Sequence, residues 1–277
     1  MLFGGKKRVS IFIFSFGNLK IKKMSSAFGF IGLGTMGYHM AHHLCKMKDT
    51  DVYVWNRTQS KALKHAKEFG TTATSSLRDV RNISSIHLLT QATTHTYVTL
   101  EPQVAERCSI IFLCLPDSKI VENVIDEMMK YKVRDGAIFV DCTSGDPAIT
   151  RSCAEKLSKI NAGLVDAPVS GGPKGAKNGT LTVMMGGDET HVKKAASIVS
   201  KTFGKVVRHV GEVGAGHATK SVNNALNVTQ LIVASGALLW LRKRYDVEPS
   251  KALGVINNSS GRSLQTKVRI PNFVCTS

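Results

Sequence analysis

The sequence predicts an α/β chain, a doubly wound parallel sheet followed by a truncated all-α domain, and three observations carry that expectation. The run Phe30-Ile31-Gly32-Leu33-Gly34-Thr35-Met36-Gly37 places a glycine cluster between a short apolar stretch and one with helical spacing. Strand-like apolar runs then alternate with helix-like amphipathic stretches over most of the chain, the pattern of a sheet covered by helices on both faces. From Val213 onward the alternation stops, and residues 216–244 form one long helical stretch without proline.

In order, residues 27–31 read as a buried strand and residues 36–47 as a helix with apolar Met36, Met40, Ala41, Leu44 and Met47 on its inner side. Residues 52–55 give a second strand, 61–69 a helix and 71–73 a short strand. The continuous apolar run 109–115 ends at Pro116, as a buried parallel strand does. Asp117-Ser118 then cap a helix to Lys130. Residues 137–141 and 162–168 supply further strands around a helix at 148–160, and a boundary near 211–214 separates residues 24–212 from 213–277. Residues 81–102 break the pattern. Joining Ser76-Leu77-Arg78-Asp79 to Val104-Ala105-Glu106-Arg107 restores a compact amphipathic helix, so residues 80–103 read as an insertion, either a surface loop or translated intron sequence.

A strand, a tight glycine turn and a helix are what a dinucleotide fingerprint requires. Gly32 makes the turn, Gly34 lets a pyrophosphate approach the backbone, Gly37 lets helix and strand pack closely, and Leu33, Thr35 and Met36 complete the loop. Where NAD-binding chains place an acid for the ribose 2′-hydroxyl, this chain has Asn56-Arg57-Thr58. Arg57 suits a 2′-phosphate, with Asn56 and Thr58 as neutral donors, so NADP is the expected cofactor and NAD the second choice. An arginine on a solvated helix start is the plainer alternative. The same tripeptide is formally a glycosylation sequon, which nothing else supports.

With 277 residues and 43% hydrophobic content the chain can bury a sizeable core. Its net charge of +17 is uneven, since no Asp or Glu precedes Asp49. That basicity suits a phosphorylated cofactor and a small carboxylate substrate. No basic stripe interleaved with aromatics points to nucleic acid, and residues 9–16 are too short to span a bilayer. Residues 1–23 resemble the start of a signal peptide or a mitochondrial presequence, or are upstream sequence ahead of Met24, which leaves cytoplasm as the first expectation and the mitochondrial matrix as the second. Six cysteines without zinc spacing read as reduced, mostly buried thiols. His39, His42 and His43 read as an exposed polar helix face, and no metal site is expected.

Two later motifs carry chemistry. Asp166-Ala167-Pro168-Val169-Ser170-Gly171-Gly172 ends a strand in a turn offering a hydroxyl and approachable backbone N–H groups, equipment for holding a carboxylate. In Gly214-Ala215-Gly216-His217-Ala218-Thr219-Lys220-Ser221-Val222-Asn223-Asn224, Lys220 and Asn224 lie one helical turn apart. A lysine whose pKa is lowered by burial can exchange a proton with a hydroxyl that a neighbouring amide positions; a solvated surface lysine is the bland reading.

Together these motifs, with the Leu115-Pro116 strand end and Ser144 before Asp146-Pro147, resemble the β-hydroxyacid dehydrogenase family, which includes 3-hydroxyisobutyrate dehydrogenases and glyoxylate/succinic semialdehyde reductases. The resemblance runs from about Ala27 to Pro271, interrupted by the insertion. It implies a Rossmann-like dinucleotide domain and an oxidoreductase moving a hydride between NADP(H) and a small 3-hydroxyacid or semialdehyde. Lys220 would be the general acid/base; Ser170, Gly171 and Gly172 would hold the substrate carboxylate with Asn224 assisting, and Leu115, Pro116 and Ser144 would line the nicotinamide-ribose region. Family members continue through several more helices and commonly dimerise there. Since this chain stops at Ser277, the resemblance implies a homo-oligomer only where that domain is complete. A noncatalytic NADP-binding scaffold or an inactive truncated product is the alternative.

Overall fold

The computed structural model describes residues 26–74, 108–131 and 133–271. The expected leader 1–23 and insertion 80–103 lie outside them. Five helices alternate with the first strands: β1 (Ser26–Ile31), α1 (Gly37–Leu44), β2 (Thr50–Trp55), α2 (Gln59–Phe69), β3 (Thr72–Ala73), β4 (Cys108–Leu113), α3 (Ser118–Met129), β5 (Ile138–Asp141), α4 (Pro147–Ser158), β6 (Gly163–Asp166), β7 (Val169–Ser170) and α5 (Gly172–Asn178). There follow β8 (Leu181–Gly186), α6 (Glu189–Val199), β9 (Gly204–Gly211), α7 (Ala215–Tyr245), α8 (Pro249–Ile256) and a π-helical turn, Gln265–Arg269.

The sheet runs β3-β2-β1-β4-β5-β6-β8-β7, with β9 added on β8. Pairings from β3 through β6 are parallel, as expected. The sheet is parallel-dominated, and beyond β6 it departs from that direction: β8 runs antiparallel to both β6 and β7 while β9 runs parallel to β8. Only a short helix, α5, separates β7 from β8, which leaves room for a reversal but not for a right-handed crossover onto a parallel neighbour.

Alternation along the strands feeds two cores, one per face. Phe30, Phe112 and Phe203 pack with Met40 and Leu44 of α1 on one side; Ile111, Leu113 and Phe139 pack with Ile125 of α3 and Leu157 of α4 on the other. Aspartates start three of the helices. Asp117 accepts from Ile120 N at 2.9 Å, Asp146 from Ala148 N at 2.6 Å ahead of Pro147, and Asp188 from Thr190 N at 2.9 Å, each satisfying a backbone donor that a helix start leaves open.

The histidines correct an expectation. His43 is buried, and its Nε2 lies 3.0 Å from both the Ala176 and Lys177 carbonyls, tying α1 to α5. The cysteines follow expectation: Cys108, Cys142 and Cys153 are buried, Cys45 and Cys114 partly so, and all five are free. The long helix α7 leaves Val222, Leu226, Ile232 and Trp240 more than half exposed. By length and composition it could cross a membrane, yet Lys220, Asn223, Asn224 and Asn227 form a polar stripe on it that lines a cleft.

Candidate active site

The strand order reverses at β1, with β2 on one side and β4 on the other. Open α/β sheets bind ligands at the carboxyl ends of the strands beside such a point. There the chain forms a cleft of about 390 Å³ lined by Gly34, Thr35, Asn56, Arg57, Thr58 and Lys61, with Trp55 and Pro116 among its apolar walls. Gly32 adopts φ +101°, and a Cβ on it would lie 2.2 Å from the Cys114 carbonyl oxygen; one on Gly37 would lie 2.0 Å from the Gly32 oxygen. The turn and the helix–strand approach therefore both require glycine. A Cβ on Gly34, by contrast, would meet nothing within 4 Å. The open side of Gly34 faces the cleft, which fits a dinucleotide lying against the loop.

Two expected cofactor residues act indirectly. The Leu33 side chain is buried in the core, and its N–H donates to Asn56 Oδ1 at 2.9 Å. Asn56 Nδ2 donates to the Thr58 carbonyl at 3.1 Å. Asn56 thus braces the glycine loop against the end of β2 and holds Arg57 at the cleft rim. Gly37 likewise serves packing.

A second cleft of about 670 Å³ continues from the first through Met36, Leu115 and Pro116. One wall carries Ser144 and the Ser170-Gly171-Gly172 turn, the other Lys220 and Asn224. These residues, drawn from separate parts of the chain, line one cleft. Gly171 and Gly172 have φ of 133° and 63°, left-handed backbone that keeps the turn narrow. Among the described residues Lys220 makes no hydrogen bond or ion pair. Burial alone pushes its ammonium below the ordinary lysine range, since desolvation disfavours the charged form.

Reading the sequence missed the groups that support this wall. Asp166, fully buried, accepts from Gly214 N and His217 N, each at 2.8 Å, and so holds the first turn of α7. The buried His217 ring has Nδ1 2.7 Å from Thr150 Oγ1 and donates from Nε2 to the Thr143 carbonyl at 3.0 Å. Thr143 Oγ1 in turn accepts from Leu115 N at 3.1 Å. Asp141 Oδ2 lies 3.9 Å from His217 Nε2, and burial raises the Asp141 pKa. His217 sits one turn before Lys220, a spacing that marks it on the sequence; its partners, far away in the chain, do not show there. Among the described residues no cluster of ligands for a metal occurs.

A glycine turn at the switch point of a parallel sheet, joined to a cleft with a lysine on one wall, defines a dinucleotide-dependent oxidoreductase. Residues 27–211 match the family model for the NAD binding domain of 6-phosphogluconate dehydrogenase, and residues 214–277 match the one for the NAD-binding region of NADP-dependent 3-hydroxyisobutyrate dehydrogenase. The chain is 33% identical over 248 residues to 2-(hydroxymethyl)glutarate dehydrogenase of Eubacterium barkeri, covering 89% of this chain and 73% of that protein. It is 30% identical over 247 residues to the mitochondrial 3-hydroxyisobutyrate dehydrogenase of Drosophila melanogaster, covering 88% and 66%. Among solved structures, the 3-hydroxyisobutyrate dehydrogenase of Mycobacterium tuberculosis superposes with a TM-score of 0.75 at 22% identity, covering 90% of this chain and 75% of that one. The chain belongs to the β-hydroxyacid dehydrogenase family, whose members use NAD(P).

Proposed function

We propose that this chain transfers a hydride between NADP(H) and a small 3-hydroxyacid or semialdehyde, using Lys220 as general acid/base. The observation that carries the reading is the partnerless, half-buried Lys220 facing the Ser170-Gly171-Gly172 turn across a cleft continuous with the nucleotide groove. The bound nicotinamide supplies the hydride acceptor or donor. The Ser170 hydroxyl and the backbone of Gly171 and Gly172 orient the substrate carboxylate, with the Asn224 amide assisting. Neutral Lys220 takes the hydroxyl proton during oxidation; its ammonium returns it to the forming alkoxide during reduction. Leu115, Pro116 and Ser144 shape the wall beside the nicotinamide ribose.

The choice of NADP rests on Arg57, which lines the groove where the second strand ends and has no acid beside it in sequence. The exposed apolar side chains of α7 favour a homo-oligomer, and sedimentation equilibrium measures it. A reducing compartment suits the free thiols. Import into isolated mitochondria separates the cytoplasm from the matrix, the location that the fly relative's name favours.

Titrating NADPH by nicotinamide fluorescence, then following oxidation of 3-hydroxyisobutyrate and reduction of succinic semialdehyde, tests the reading. Lys220→Ala is expected to keep cofactor binding and lose about 10²–10⁴ in rate. Native turnover in that variant rejects the mechanism. Cofactor binding without turnover of any hydroxyacid by the unaltered chain favours a noncatalytic scaffold.

A further inference from the structure

The substrate cleft contains a cation that the proposed chemistry leaves unused. Arg269, at the end of the π-helical turn, lines the same cleft as Lys220 and the Ser170-Gly171-Gly172 turn. It does not line the nucleotide groove, where Arg57 and Lys61 face the phosphates' expected path. Among the described residues Arg269 has no hydrogen bond or ion pair, and the cleft lining holds no Asp or Glu to neutralise it.

The turn that carries Arg269 is fixed at both ends. Gln265 is buried and donates through Nε2 to Asn227 Oδ1 on α7, the last member of the polar stripe that starts at Lys220. Ile270, directly after Arg269, is buried against Leu238 and Leu253. π-helical turns are rare and are frequently found at functional sites. Here it holds an exposed guanidinium at a cleft between two buried anchors.

Charge accounting in the cleft separates the roles of the two cations. Lys220 must be neutral to accept a proton, and burial already favours that state. Arg269 instead presents a planar guanidinium with several N–H donors to the cleft and takes no part in the proton exchange. The Ser170-Gly171-Gly172 turn, on a separate segment, already offers hydroxyl and backbone donors for one carboxylate. A guanidinium fork matches a further carboxylate in planar, bidentate geometry.

We propose that Arg269 reads a second carboxylate on the substrate, so that this cleft prefers a β-hydroxy dicarboxylic acid to a monocarboxylic one. The inference rests on the dehydrogenase reading above and narrows its substrate class.

The test uses two acids that share the reacting hydroxymethyl and the neighbouring carboxylate: 3-hydroxyisobutyrate, with a methyl branch, and 2-(hydroxymethyl)glutarate, whose branch ends in a second carboxylate. Binding is measured by calorimetry with NADPH present, a pairing between which no hydride can pass, and kcat/KM is measured separately with NADP+. The full chain is expected to favour the dicarboxylate by about tenfold or more, the worth of one charge-assisted contact. In Arg269→Gln the ratio of the two affinities should fall toward one, and in Arg269→Lys it should recover in part. Equal binding of both acids by the unaltered chain overturns the assignment. So does an Arg269→Gln variant that weakens both acids equally, which would mark a structural role or contact with the shared carboxylate. Loss of NADPH affinity in that variant places Arg269 on the cofactor and overturns it too. If the unaltered chain binds NADPH but neither acid, or no NADPH at all, the dehydrogenase reading fails at that step and the Arg269 assignment falls with it.

Discussion

Asp166 holds His217 by the backbone: its Oδ2 accepts the His217 N–H at 2.8 Å while Oδ1 accepts that of Gly214. A buried carboxylate at a helix start answers two open donors and the positive end of the helix dipole together. Lys220 lies on the next turn, so its position over the cleft depends on this bond pair. In Asp166→Asn one oxygen becomes an NH₂ facing an N–H, and unfolding free energy should drop by about 1.5–3 kcal/mol for the lost charged hydrogen bond. Urea denaturation measures this. Turnover should fall further than NADPH affinity, because the glycine loop on α1 does not rest on Asp166.

The His217 ring links the lysine wall to the opposite one, reaching Thr150 through Nδ1 and the Thr143 carbonyl through Nε2. His217→Leu should fold poorly or place Lys220 loosely, since it leaves the buried Thr150 hydroxyl and Thr143 carbonyl without the ring. His217→Gln keeps a donor and should restore part of kcat with KM little changed. A Gln variant no better than Leu would mean the ring acts only by its volume.

For Lys220 the pH dependence follows from the sign of its shift. Burial lowers its pKa from the lysine value, so the neutral amine forms at lower pH than on a surface lysine. Oxidation needs that neutral form and should rise with pH until Lys220 is deprotonated. Reduction needs the ammonium and should fall through the same pKa. Initial rates measured in both directions across one pH series check the mirror relation; parallel profiles would remove Lys220 from proton transfer.

Much of the nucleotide half is legible in the sequence, for physical reasons that can be named. Gly32 and Gly37 are required by contacts within the same strand–turn–helix unit or with the strand end at Cys114, so their spacing alone announces the turn. The strand Cys108–Leu113 is buried on both faces apart from the half-buried Ser109, and its residues 110–113 read as an unbroken apolar run. The far side of the sheet carries less of its arrangement in local sequence. Leu181, Val183 and Met185 alternate inward with period two, yet a strand's direction is not written in that alternation, and the reversal of β8 had no local sign. β9 is mostly exposed and carries Lys205, Arg208 and His209, so no apolar run marks it. His43 sits beside the helix face defined by Met40 and Leu44, but the carbonyls that receive it belong to Ala176 and Lys177. Arg269 reaches the cleft only because a π-helical turn and the Gln265–Asn227 bond bring it there.

Arg57 should decide between the two dinucleotides. It lines the groove beside Thr58 and Lys61, where a 2′-phosphate would meet it. NADPH is expected to bind roughly ten- to a hundredfold more tightly than NADH, and Arg57→Ala should remove most of the difference. Fluorescence titration of both nucleotides against both proteins gives the four constants. Equal affinities in the unaltered chain would leave Arg57 as a solvated side chain.

His43 makes stability depend on pH. Its pKa is lowered, first by burial and then by Lys46, whose Nζ lies 3.2 Å from Nδ1; burial also lowers His42 and His65. In the unfolded chain these rings protonate near about 6.5, so below that value the unfolded state binds more protons and folding weakens as pH falls. Urea midpoints should therefore be lower at about pH 5.5 than at about pH 7.5. His43→Gln should shrink the difference. An unchanged difference would shift the effect to His42 and His65.

Two glycines in one loop should separate folding from binding. A Cβ at Gly37 would sit 2.0 Å from the Gly32 carbonyl oxygen, a backbone atom that cannot turn aside, so Gly37→Ala must push α1 off β1. Its neighbours Met40 and Leu44 are fully buried on the same helix, and displacing them opens the core around Phe30 and Phe112. The variant should lose about 2–5 kcal/mol, the range for core disruption, and bind cofactor poorly as a consequence. At Gly34 the added methyl meets no protein atom within 4 Å and the backbone needs no left-handed angle, so Gly34→Ala should match the unaltered chain in urea midpoint or exceed it slightly through reduced freedom of the unfolded chain. Its methyl points into the groove instead, and NADPH affinity should fall by at least about tenfold, the cost of displacing one close phosphate contact. Measuring both variants by denaturation and by nucleotide titration makes the contrast. If Gly34→Ala bound NADPH as well as the unaltered chain, the dinucleotide would not run along this loop, and the glycine turn would be only a packing device.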